Sequence, residues 1–427
     1  MSFRIVLASW GSFGDLFPSL ALAERLKALG HTPVVATCPY YRALVEGEGF
    51  AFHGVRPDVD PTRTDIIQRV MDPQRGTEVV IKELIVPAVR DAYADLQQAA
   101  RGADLIVSHP VTFAAPLVAE KLGLPWVSTV LAPISFFSIT DFPALPNFPE
   151  LTIRSRRLSP WGPRLLMKVA RTITGPWTRP VHAFRAELGL RPAGDPLYDG
   201  QFSPLGTLAL FSRVLAQPQA DWPAHTQVTG FPFFNRAIPM PDELSKFLDD
   251  GEPPIAFTLG TSAVGAAGGF YEESVKAVSA IGRRAVLLVG KNAENRPRGP
   301  LPKGVIAVEV APHDGLFPRS AAIVHQGGIG TTGQALRAGR PTLVVPHAHD
   351  QPDNAFRIAR TGGARVCYPR QYKAARVARE LRVLLEDPSY AQRAAATARE
   401  VSAEDGARTA ADLIVRTLEP LNLPPFQ

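Results

Sequence analysis
Short apolar runs alternate with helix-length segments along this chain, and that alternation narrows the possible folds more than any other feature. "FRIVLA" at the N-terminus reads as a buried strand, "SWGSFGD" as a loop, "LFPSLALAERLKALG" as a helix closed by Gly30, and "TPVVAT" as the next strand. "ADLIVS", a helix from Phe113 to Leu122 and "LPWVSTV" repeat the unit. A second series begins at "PPIAFTLG" and continues through "RRAVLLVG", "GVIAVEVAP", "AAIVHQGG", "PTLVVP" and "GARVCYP". Strands that are apolar throughout, each followed by a helix, require parallel sheets covered on both faces. The expected class is α/β, with two Rossmann-like domains whose parallel sheets face each other across a cleft.

The boundaries follow from where the alternation fails. Residues 1–226 are expected to form an N-terminal Rossmann-like domain, with a helical insert over about 154–222 where prolines multiply. A Pro-rich, aromatic linker is expected over 227–248, a C-terminal Rossmann-like domain over 249–401, and over 402–427 a final helix that packs back toward the N-terminal domain. The net charge of +6 is modest for 427 residues and does not argue for nucleic acid. Eight cations (Arg154, Arg156, Arg157, Arg164, Lys168, Arg171, Arg179 and Arg185) nevertheless fall between Leu151 and Ala186, where no acid occurs. Leu165, Val169 and Ile173 recur every fourth residue there, which puts Arg164, Lys168 and Arg171 on the opposite part of a short helix. A solvated face is the plain reading, and contact with an anionic membrane surface through Arg154–Arg179 the sharper one. No run is long and apolar enough to span a bilayer, no signal peptide is evident, and Cys38 and Cys367 read as core residues, so a cytoplasmic location is expected.

The stretch "AAIVHQGGIGTTGQAL" carries the chemistry most clearly. A strand meets a helix through Gly327, Gly328 and Gly330, which lets backbone amides and the positive helix end approach an anion. His325 can donate a ring N–H to that anion, and Thr331 and Thr332 can add hydroxyls or cap the helix. The spacing fits neither the dinucleotide fingerprint nor the P-loop. "FTLGTSAVG" repeats the theme with Gly260, Thr261 and Ser262, and strand ends on one sheet edge converge. One unit beyond the glycines, "PHAHDQPDNA" presents His347, His349, Asp350 and Gln351, hydrogen-bonding groups suited to sugar hydroxyls. Helix capping by Asp350 is the plain alternative, and no metal site is expected.

"HQGGIGTT", with "HAHDQPDNA" after it and "APHDGLFPRSAAIV" before it, resembles the donor signature of inverting glycosyltransferases of the GT-B fold. "GSFGDLFPSLALAERLKALGH" and "VTGF" are similar to further segments of bacterial UDP- or dTDP-sugar-dependent enzymes that glycosylate antibiotics, flavonoids and sterols. The resemblance implies that His325 and Ser262 contact the diphosphate, with Gly260 and Thr261 beside Ser262 and Gly14 also against the donor. It implies that Gly327, Gly328, Gly330 and Thr331 line the glycine loop, and that Asp350 and Gln351 hold the sugar. Ala311 would read the base edge through its backbone, with Val310 standing where an aromatic residue often stacks on the base. The donor would be a co-substrate, and no cofactor is implied.

By resemblance Asp15 is the base that takes the acceptor's proton. A carboxylate of ordinary pKa at a helix start is a weak base, so the alternative that Asp15 only caps its helix stays open. His109 in "IVSHPVTF" follows another strand of the same sheet and is a candidate partner or second base. Trp10, Phe13, Phe136, Phe137 and Phe142 come from loops at that edge and, with His109, are candidate contacts for a flat apolar acceptor. The expected activity is inverting transfer of a hexose, of glucose or rhamnose type, to a hydroxyl of a flavonoid, sterol or polyketide by a monomer or weak dimer. The alternatives are a nucleotide-sugar epimerase, a transferase acting on a membrane lipid, and a non-catalytic sugar-nucleotide-binding protein.

Overall fold
The computed structural model describes residues 1–61, 63–146, 148–158, 160–234 and 238–419, with Arg157 as backbone only. Parts of the expected linker (235–237) and final segment (420–427) lie outside the described residues. Seven parallel strands form the first sheet: β1 (Arg4–Ala8), β2 (Thr32–Thr37), β3 (Ala51–Gly54), β4 (Leu105–Ser108), β5 (Trp126–Val130), β6 (Thr207–Ala209) and β7 (Thr226–Val228). Six form the second: β8 (Ile255–Thr258), β9 (Ala285–Leu288), β10 (Val305–Val308), β11 (Ala322–His325), β12 (Thr342–Val344) and β13 (Ala364–Val366).

The strand orders, β3-β2-β1-β4-β5-β6-β7 and β10-β9-β8-β11-β12-β13, both reverse direction once. Reversal leaves a crevice beyond the carboxyl ends of β1 and β4 in one sheet and of β8 and β11 in the other. At those carboxyl ends stand Asp15, in the first turn of the helix after β1, His109 in the loop after β4, Ser262 on the short helix after β8, and His325 as the last residue of β11. Each apolar run of the sequence is a strand at its expected place, because a run buried on both faces has no other low-energy arrangement.

Two expectations change. The region 154–222 is not wholly helical, since "TLA" of β6 lies inside it, a strand too short to show a period. Its helix is long, Trp161–Glu187, and the apolar stripe faces outward together with the cations, Leu165 being 63% and Ile173 62% exposed.

The halves interlock. The helix Gly406–Leu418 packs Ala410, Ala411, Ile414 and Leu418 into the core beneath β1, against Leu16 and Leu20 of the helix Phe13–Ala28. Met71, from the connection after β3, is buried in the core of the second half beside Phe257 and Leu259. Across the cleft the helix Phe13–Ala28 meets the helix Ile329–Ala338 end to end, where a Cβ on Gly330 would lie 3.7 Å from the Gly14 Cα.

Candidate active site
Asp15 is not the cap residue of its helix. Ser12 is the N-cap, and Asp15 is its capping-box partner at the third helical position. Asp15 Oδ2 accepts the Ser12 N–H at 2.7 Å and the Ser12 hydroxyl at 3.1 Å. Asp15 Oδ1 stands free of the cap, 3.3 Å from His109 Nε2. His109 Nδ1 accepts the Val111 N–H at 3.4 Å, which leaves Nε2 as the protonated nitrogen facing Asp15. Burial raises the Asp15 pKa, but the His109 hydrogen bond, with the Ser12 donors, outweighs it and holds the carboxyl below its ordinary value. Asp15 is 30% exposed and His109 only 9%, so the carboxylate is the member of the pair that faces the cleft.

On the opposite wall the glycine turn is shaped as its sequence predicts. Gly327 has φ +86°, and a Cβ there would lie 2.9 Å from Val344 Cγ1 and 3.2 Å from the Gln351 carbonyl oxygen. Gly328 caps the helix Ile329–Ala338, whose first turn contains Gly330 and Thr331. His325 is fully buried, and its Nδ1 accepts the Gly327 N–H at 3.0 Å. Burial, with a small contribution from His313, pushes its pKa down to about 3. It therefore offers a neutral ring N–H, without a positive charge. Among the described residues, eleven buried side-chain polar atoms lack a partner; three of them, His325 Nε2, Gln326 Oε1 and Thr332 Oγ1, belong to this turn, and a fourth, Asn354 Oδ1, is on the side chain whose amide nitrogen bonds the Gly327 carbonyl. Unpartnered polar atoms are rare and costly in a folded interior, and four gathered around one glycine turn mark a seat for a polar ligand.

The loop Gly260–Ser262 converges on the same turn. A Cβ on Gly260 would lie 2.2 Å from Gln326 Nε2, and one on Gly328 2.9 Å from that atom, so the Gln326 amide fills the space between the two loops. Thr261 is exposed and Ser262 half-buried on the short helix that opens there.

After β12, Asp350 precedes the helix Gln351–Arg360 without capping it through its side chain. Its Oδ2 instead accepts from Asn354 Nδ2 at 2.7 Å, and the same nitrogen donates to the Gly327 carbonyl at 2.9 Å. Burial, opposed by the Asn354 bond and aided by the charge of Asp15, raises the Asp350 pKa to about 7. The two carboxylates thus feel each other across the cleft. Gln351 is 3% exposed, and its Oε1 accepts the N–H groups of His347 at 2.8 Å and Ala348 at 3.3 Å, holding its own loop. His349, at φ +57°, faces Thr77 of the first half at 3.3 Å.

Sequence reasoning gave no role to Asn354 or Gln326. Asn354 was open to detection as the residue one helical turn beyond Asp350; Gln326, inside the glycine run, carried no signal of its own. Val310 is 54% exposed and Ala311 is 3% exposed, just past β10.

The candidate acceptor aromatics divide. Trp10 and Phe13 are half-buried, with Trp10 Nε1 donating to the Pro57 carbonyl at 2.9 Å and Phe13 packed on Phe17 and Tyr41. Phe137 is half-buried at φ +47° against Tyr198. Phe136 stacks on Trp222 at 4.1 Å with 6% exposure, and Phe142 is wholly buried. These two rings are core residues, since their apolar surface is already covered by the protein, and they present no open face to an acceptor.

Residues 273–419 match the family model described as Erythromycin biosynthesis protein CIII-like, C-terminal domain. The O-mycaminosyltylonolide 6-deoxyallosyltransferase of Streptomyces fradiae is 33% identical, over 96% of this chain and 96% of its own length. The sterol 3-beta-glucosyltransferase of Leptosphaeria maculans is 28% identical over 84% of this chain, which spans about a quarter of that protein, 25%. The crystal structure of the glycosyltransferase VinC in complex with dTDP superposes with a TM-score of 0.69 at 23% identity, covering 98% of this chain and 100% of that one, and the two-sheet architecture is GT-B. At 33% identity to the Streptomyces fradiae enzyme along nearly the whole length of both chains, this protein is a glycosyltransferase and belongs to that enzyme's family.

Proposed function
We propose that this enzyme moves a hexose, with inversion, from a uridine or thymidine diphosphate sugar to a hydroxyl of a small lipophilic acceptor. The observation that carries the reading is the meeting of two half-sites at the two strand-order reversals: the Asp15–His109 pair on one wall, the unpartnered polar atoms around the glycine turn on the other, with His325 Nε2 and Thr332 Oγ1 as donors. The name of the Streptomyces fradiae relative and the dTDP held by VinC make a thymidine-linked 6-deoxyhexose and a polyketide acceptor the first pair to test.

In this reading the His325 N–H, the Ser262 hydroxyl and the amides of the helix start receive the diphosphate. They are preorganised and neutral, and they stabilise charge that grows as the glycosidic bond breaks. Asp350, held by Asn354, takes the sugar's hydroxyls. Asp15 Oδ1 accepts the acceptor's hydroxyl proton as its oxygen attacks the anomeric carbon. A carboxyl held below its ordinary pKa is a weak base, so the proton crosses late, after the acceptor oxygen has gained positive character. His109 acts through Asp15 and is a positioning residue. Val310, exposed beside Ala311, offers an aliphatic contact to the base.

The test is a screen of UDP- and dTDP-sugars against polyketide, sterol and flavonoid acceptors, read by product mass, with Asp15→Asn alongside. Asp15→Asn should lower kcat by about 10²- to 10⁴-fold with little change in donor binding. Full activity in that variant removes Asp15 as the base. His109→Phe should keep part of the activity and move the acid limb of the kcat/KM profile upward, because a group that lowers the Asp15 pKa has gone. A changed sugar from donor alone would identify an epimerase, and nucleotide binding without turnover of any acceptor a binding protein.

A further inference from the structure
The helix Trp161–Glu187 leaves a large apolar stripe in water. Trp161 is 77% exposed, Leu165 63%, Val169 47% and Ile173 62%, and just before the helix Phe148, Leu151 and Leu158 are exposed as well. Residues four apart on a helix drift only about 40° around its axis, so the four helical side chains form one continuous flank. The inward side of the helix is already occupied by Met167, Val181 and Phe184. A folded chain seldom leaves such a run of large side chains in water without a partner for it.

The charge beside the stripe names that partner. Arg164 and Lys168 lie next to it on the exposed surface, and neither forms an ion pair with any described residue. Arg171 adds a third cation, paired with Asp199 at 2.6 Å. No carboxylate occurs in the sequence between Leu151 and Ala186, and Asp199, the carboxylate at the Arg171 end of the groove, is neutralised by its ion pair with Arg171. Ile139, Arg164, Met167, Lys168, Arg171 and Thr172 line an open groove of about 450 Å³ at the edge of the stripe, and it includes neither Asp15 nor His109. No helix among the described residues is long and apolar enough to cross a membrane, so any contact through these helices is with a bilayer surface.

We propose that this flank docks the protein on an anionic lipid bilayer, with Trp161, Leu165, Val169 and Ile173 entering the interface and Arg164 and Lys168 meeting lipid phosphates. Aromatic and aliphatic side chains on a helix with unpaired cations alongside match the layering of the interface, apolar below and anionic above. The docking stands apart from the transferase reading. It also fits it, because Ile139 belongs to the connection that leaves β5 at the sheet edge where Asp15 and His109 stand.

The experiment is co-sedimentation of the full chain with phosphatidylglycerol-containing vesicles and with phosphatidylcholine vesicles, at low and high salt. Binding to the anionic vesicles is expected, weakened by salt. The double variants Leu165→Ser with Ile173→Ser, and Arg164→Gln with Lys168→Gln, should each weaken it by at least about tenfold. Brominated acyl chains should quench tryptophan fluorescence in the wild type and much less in Trp161→Phe. Transferase activity on a water-soluble acceptor should be unchanged in all of these variants, which separates failure of docking from failure of the reaction. Absence of binding to anionic vesicles at low salt overturns the proposal, as does binding that neither double variant alters. Self-association without vesicle binding, abolished by the serine variants, would assign the flank to a second copy of the chain and overturns it too.

Discussion
Asp15 and Asp350 face one cleft yet are held on opposite sides of the ordinary carboxylate range. Asp15 has His109 and Ser12 to stabilise its charge; Asp350 has one amide donor and a second carboxylate across the gap. Asp350 therefore opposes folding at high pH. Its folded pKa, about 7, stands above the unfolded value of about 3.9, so stability is lost as pH rises through that window. Asp350→Asn is expected to be as stable as the wild type near pH 4 and more stable at pH 8 by on the order of 2 kcal/mol, while losing transferase activity. Urea unfolding at both pH values checks this, and a variant less stable than wild type at pH 8 contradicts the burial account. Only part of this was legible beforehand. The residue types, glycines at the turn and an acidic group one unit on, were plain in the sequence. The direction of each pKa was not, because it depends on donors brought in from other loops.

The connection after β5 and the helix Gln351–Arg360 are joined by a buried ionic network that no local pattern announces. Asp141 pairs with Arg357, Arg360 and Arg156, Arg357 also bonds Asp353 at 2.7 Å, and Asp353 accepts the Ala144 N–H at 2.9 Å. Arg357 is 2% exposed and Asp353 wholly buried, so neither charge has water to fall back on. The network ties the connection after β5 to the helix that begins at Gln351. Burial raises the Asp141 pKa, but the arginines outweigh it and keep it low. Its contribution to stability is thus present above the unfolded value of about 3.9 and lost as pH falls below it. Arg357→Met should cost about 3–5 kcal/mol at pH 8, because it removes the ion-pair partner of the wholly buried Asp353 carboxylate and leaves that carboxylate with only the Ala144 N–H among the described residues. Thermal unfolding of the variant and the wild type at pH 8 checks this. At this scale ten of the strands were read correctly from their apolar runs, while β3, β6 and β7, of three or four residues each, were not. The exposed stripe on the helix Trp161–Glu187 was not, since a four-residue period shows that a face exists but not which way it points.

At the scale of the whole molecule the chain's last helix completes its first core. Ala410, Ala411, Ile414 and Leu418 are at most 2% exposed among residues of β1 and the helix Phe13–Ala28. A chain ended at Asp405 should lose several kcal/mol from the N-terminal half, at roughly 1.5–3 kcal/mol per large buried side chain. Limited proteolysis should then cut within residues 1–230 while 250–400 stay protected; cuts confined to the second half would contradict this. What the sequence determined by itself is everything set by short-range geometry. That includes which apolar runs are strands, where a bare glycine turn meets a helix start, and which strand ends bring Asp15, His109, His325 and Asp350. What the tertiary structure alone decided is who meets whom. His109 reaches Asp15 because β4 lies beside β1, Gln326 reaches Gly260 because β11 lies beside β8, and Gly14 reaches Gly330 because the halves close on each other. Backbone chemistry is written over a few neighbouring residues, whereas strand order and cleft closure come from burying apolar surface across the whole chain, and no single stretch of sequence holds that information.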